Sequence, residues 1–83
     1  MNKSEFNTYL EEEISSALTR ISAKLSKSDR VDLGRLEYLA ALKSVVGGNA
    51  GPDEVGTVGA VNDVLQKLEL LSGSETLLAK LKP

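Results

Sequence analysis

Apolar side chains recur along the first third of the chain at Phe6, Leu10, Ile14, Leu18, Ile21 and Leu25, in steps of four and three. That spacing lays them along one face of a helix and predicts a first helix over 4–27. Ser4 is placed to cap it, with Glu5 in its first turn. Its charges run with the helix dipole: Glu5 and Glu11 to Glu13 come early, Arg20, Lys24 and Lys27 late. Ser28-Asp29-Arg30 then reads as a turn and a new start, with Asp29 as cap and Asp32 three residues on. A second helix over 30–46 follows. Val31, Leu36, Leu39, Ala40, Leu42 and Val46 cover one broad side of it, and Tyr38 and Val45 widen that arc. A helix apolar over so wide an arc is expected to be the central one.

The run Gly47-Gly48-Asn49-Ala50-Gly51-Pro52 is the clearest break in the chain. Gly47 or Gly48 suits a left-handed C-cap, and Pro52 suits a first helical position with Asp53 and Glu54 behind it. Val55, Val58, Val61, Val64, Leu65, Leu68 and Leu71 keep the helical step and predict a third helix over 54–71. Gly56 and Gly59 each weaken it by about 1 kcal/mol relative to Ala, so its regular part is expected from Val58. After Ser72-Gly73-Ser74, a short amphipathic helix over 75–81 would carry Leu77, Leu78 and Leu81 on one side. No stretch alternates as a strand does. The expected fold is all-α: a single domain, 1–83, with a long N-terminal helical hairpin, a third helix and a short C-terminal helix.

Composition removes whole classes of chemistry. The 83 residues contain no Cys, His or Trp. That excludes a thiol nucleophile, a disulfide, a thiolate zinc site and an imidazole base. No apolar run approaches the length of a membrane span, so no membrane partner is expected. The net charge of −2 argues against a dedicated nucleic-acid binder, which is expected to be basic. Met1-Asn2-Lys3-Ser4-Glu5 runs into an acidic segment, so no secretory leader is expected. Together with the lack of Cys, this suits a cytoplasmic protein, or a virion protein if phage-encoded. With 14 Leu, 7 Val and 2 Ile against one Phe and two Tyr, the core is aliphatic and favours helices.

The expected lengths carry a clue to assembly. A first helix of about 24 residues is about 36 Å long and a second of about 17 is about 26 Å, so an antiparallel pair leaves an overhang. Phe6, Tyr9 and Leu10 would lie uncovered on that overhang, while Leu36, Tyr38, Leu39 and Val45 would oversupply the central helix. Surplus apolar surface on a small chain points to a protein partner or a second copy. These seven residues are the candidate partner interface. The competing expectation is that the Leu77, Leu78 and Leu81 segment folds back over them.

Other features weigh less. Arg20, Lys24, Lys27 and Arg30 form a candidate basic contact patch, yet the helix dipole alone accounts for much of it. Thr8, Glu12, Ser15, Thr19, Ser22 and Ser26 line the opposite side of the first helix, as a solvated face or a weak contact. Glu11, Glu12 and Glu13 occupy consecutive positions about 100° apart and cannot converge on one ion. The glycine loop lacks the strand and the Gly-Lys-Ser/Thr ending of a phosphate loop and is expected to be a linker or hinge. Gly56 and Gly59 with Ala60 offer a close helix approach or simply a weak helix start. No catalytic, cofactor-binding or metal-ligating set emerges. The leading expectation is a non-enzymatic helical interaction protein that self-associates, serving as adaptor, accessory subunit or inhibitor of a larger protein. Two alternatives stay open: a small nucleic-acid-binding module that uses the basic end of helix one, and a repeated subunit of a larger particle such as a phage.

Overall fold

A computed structural model describes residues 1–81, so positions 82 and 83 of the expected domain lie outside it. It is an all-α, three-helix arrangement: α1 spans Lys3–Arg20, α2 Lys27–Val46 and α3 Pro52–Lys67. There is no strand among the described residues. The expected fourth helix is reduced to one 3₁₀ turn at Leu78–Lys80.

Both α1 and α2 start on a reciprocal cap, and both caps differ from expectation. Asn2, not Ser4, caps α1: its side-chain oxygen accepts the Glu5 N–H at 2.8 Å, while the Glu5 carboxylate accepts the Asn2 N–H at 3.1 Å. Ser26, not Asp29, caps α2. Its hydroxyl accepts the Asp29 N–H, and the Asp29 carboxylate accepts the Ser26 N–H. Asp29 is therefore the third residue of a helix that begins at Lys27, three residues before the expected start. At α3 the Glu54 carboxylate accepts the Gly51 N–H at 3.0 Å, and Pro52 opens the helix. With the first turn secured in this way, Gly56 and Gly59 do not delay the helix to Val58.

The first helix stops at Arg20, seven residues short of expectation, although its apolar period runs on to Leu25. Serine side chains that bond outside the helical ladder compete with it. The Ser22 hydroxyl donates to Asp29 at 2.7 Å, and Ser26 has turned to cap the next helix. Leu25 closes this bend with φ at +48°. The lengths consequently reverse. At 18 and 20 residues, α1 is about 27 Å long and α2 about 30 Å, and the overhang expected of α1 does not exist.

The other two helix ends share one stop. After α2, Gly48 takes φ at +76°, and the N–H groups of Gly48 and Asn49 reach back to the carbonyls of Val45 and Ser44. After α3, Glu69 takes φ at +64°, and the N–H groups of Glu69 and Leu70 reach Gln66 and Leu65. Both are left-handed stops that satisfy orphan carbonyls, the first on glycine and the second on glutamate. That second stop ends α3 four residues before the expected Leu71.

The middle helix is α2, as its wide apolar arc implies, with α1 and α3 each packed against it. The core lies at the end where Leu10 of α1, Ala41 and Leu42 of α2 and Val58 of α3 meet. Toward the other end, α1 and α2 are held by an ion pair, Arg20 to Asp32 at 2.7 Å. The tail turns back onto α3, where the Asn62 side-chain oxygen accepts the Leu77 N–H at 3.0 Å and Gln66 donates to the Glu75 carbonyl. The molecule measures 43 × 27 × 23 Å. Its radius of gyration is 14.0 Å, against about 12 Å for a compact domain of this length.

Candidate functional site

Most of the seven residues expected at a partner interface are gathered at the core instead. Leu10 is completely buried and has no surface to offer, which corrects its assignment to the overhang. Phe6, Tyr38, Leu39 and Val45 pack against the buried cluster, and Leu36 is half-buried. Tyr9 keeps real exposure, with its ring stacked on Phe6 at 6.0 Å between centroids. Burial pushes the Tyr38 hydroxyl above its ordinary pKa, and among the described residues that hydroxyl has no hydrogen-bond partner.

Uncovered apolar surface exists, but elsewhere. Among the described residues the buried hydrophobic set is small: Leu10, Ala17, Ala41, Leu42, Val58 and Leu71, of which two are alanines. Against it stand large side chains open to solvent, including Leu18 and Val31 and, on α3, Val64 at 57% and Leu68 at 63%. Leu18, Val64 and Leu68 all belong to stripes that the sequence pattern assigns to the core. An 8.8 kDa monomer of ordinary compactness exposes about 4,800 Å². This chain exposes 5846 Å², a surplus of roughly 1,000 Å². The signal for this is present in the sequence: α3 has apolar positions on more sides than one neighbour can cover.

The four cations of the basic patch differ in their surroundings. The Arg20 guanidinium pairs with Asp32 through two nitrogens, at 2.7 and 3.1 Å, while about half of its side chain stays exposed, 53%. This bond lowers the Asp32 pKa below the usual carboxylate range and raises that of Arg20. Asp29 is also held low, chiefly by the hydrogen bond from the Ser22 hydroxyl. Lys24, Lys27 and Arg30 are exposed on the bend and the first turn of α2. Asp29 and Asp32 are buried in the same stretch of the chain. A shallow, open depression of about 460 Å³ lies alongside, lined by Glu13, Arg20, Ser28, Val31, Asp32 and Arg35.

The hydroxyl stripe divides in two. On α1, Thr8 and Thr19 turn their hydroxyls back to the carbonyls of Ser4 and Ser15 and leave an ordinary solvated face. Beyond α1, Ser22 and Ser26 build the joint to α2. Among the described residues no group of three or more acidic side chains is placed to hold a metal ion. No described helix is long and apolar enough to cross a membrane. Compared with known protein families, curated proteins and solved structures, the chain matches none.

Proposed function

We propose that this chain is a non-enzymatic helical interaction protein that works by self-association, as an assembly or accessory subunit in the cytoplasm. The observation that supports this is the surface surplus of roughly 1,000 Å², carried in part by large aliphatic side chains. Each partner in a standard-sized interface loses about 800 Å², so one further contact of ordinary size accounts for the surplus. A non-enzymatic role is favoured by the missing thiol and imidazole groups and by the shallowness of the depressions on the surface. Mass by light scattering across a wide concentration range tests it. The expected outcome is a mass at least twice 8.8 kDa that falls on dilution. A mass that stays at 8.8 kDa throughout defeats self-association.

A further inference from the structure

We infer that the outer face of α3 is the seat of a second copy of this chain, packed antiparallel across a two-fold axis at Ala60. The inference rests on the self-association just proposed and names its surface. Asp53, Thr57, Ala60, Val64 and Lys67 succeed one another in steps of four, three, four and three. A line with that period runs straight along one side of a helix and is the seam on which two helices pack. All five residues are exposed, so nothing among the described residues covers the line. Leu68 extends its apolar part alongside Val64.

Two properties of the line select a second copy over a foreign partner. One is charge. Asp53 and Lys67 lie seven residues either side of Ala60, so an antiparallel pair centred there sets each Asp53 against the Lys67 of the other copy, twice over. A parallel pair would set like charges together. The other is size. Gly56 and Val64 lie four residues either side of Ala60, which brings a valine toward a glycine in both directions. Gly56 stands in the interior of α3, where it costs about 1 kcal/mol relative to Ala. A methyl group added there would meet nothing within 4 Å among the described residues, whose packing therefore gives no reason for glycine. A helix lying against this face does give one, because small residues let two backbones approach.

The absence of cysteine makes the arrangement directly testable. A residue on a two-fold axis faces its own copy, so Ala60→Cys should form an interchain disulfide under mild oxidation. Ala40→Cys, exposed on α2, should not. Alongside this, Val64→Asp should weaken dimerisation at least tenfold while circular dichroism keeps its helical signal. Lys67→Asp should weaken it too, and Asp53→Lys in the same chain should restore it. If the wild type is a dimer but Ala60→Cys stays unlinked and Val64→Asp dimerises normally, this face is wrong and self-association stands. If the wild type is a monomer at every concentration, both fall. Should Val64→Asp fail to fold, the two cysteine variants decide the matter alone.

Discussion

Glu69 holds a backbone conformation that side chains rarely adopt, with φ at +64°, and it does so at the negative end of a helix dipole. A left-handed residue other than glycine costs roughly 1–2 kcal/mol, and an acidic group at a helix C-terminus adds to that cost. Glycine there removes both terms and gives back part through its freedom in the unfolded chain. Glu69→Gly should therefore stabilise the fold by about 1 kcal/mol and raise Tm by roughly 4–8 °C in a thermal melt. The reverse holds at Gly48, where alanine would meet open space but a strained φ of +76°, and should lower Tm. These two positions also show what a sequence reveals of a helix end. Gly48 is legible because glycine announces a left-handed stop. Glu69 is not, since nothing in glutamate signals one, and the eye passes to Gly73 instead.

At the scale of the element, the joint between α1 and α2 is held by polar groups more than by apolar packing. Ser22, Ser26 and Arg20 all converge on Asp29 and Asp32. Ser26→Ala removes the cap of α2 and should cost about 1 kcal/mol in chemical denaturation. Both carboxylates, and Glu75 with its bond from the Ser72 N–H, are held below their ordinary pKa. The folded state therefore binds fewer protons than the unfolded chain in the acid range. Stability from these groups is fully present at neutral pH and drains away as pH falls below about 5. Urea midpoints taken over a pH series should show this fall, and Asp32→Asn should flatten it while lowering the midpoint at neutral pH. In the tail, Asn62 replaces an apolar residue on the core side of α3 to hold the Leu77 N–H. Asn62→Ala should cost about 1–2 kcal/mol and speed amide exchange at Leu77. The helices themselves were readable from period alone, although packing buries only part of each periodic stripe and leaves Leu18, Val64 and Leu68 exposed. Of their ends, only that of α2 at Val46 was, where glycine follows. An apolar run to Leu25 looks helical until one knows that Ser22 bonds to Asp29, a contact seven residues away that only the folded joint creates.

For the whole molecule, the surplus of apolar surface was legible in kind but not in place. Counting apolar positions on each helix shows that three helices and a tail cannot hide them all. Which positions go uncovered depends on helix lengths, and once α1 ends at Arg20 the N-terminal residues Phe6 and Leu10 fall onto the core. The unhidden positions move to α3 and to Leu18 and Val31. If a second copy covers part of that surface, folding and association are linked, and Tm should climb as protein concentration rises. A melting temperature independent of concentration would speak against that linkage.

The placement of α2 between two partners has a consequence for how the chain reaches its structure. Each of its packed pairs joins helices adjacent in sequence, α1 with α2 and α2 with α3, across bends of only 6 and 5 residues. Short closures lose little entropy, and domains built from such local pairings fold in microseconds to milliseconds. The two pairs share the small cluster of Leu10, Ala41, Leu42 and Val58, and beyond it each outer helix packs on α2, so the far part of either can open while the other stays docked. Hydrogen exchange should then resolve two separate openings rather than one, with α2 the last segment to give up its protons.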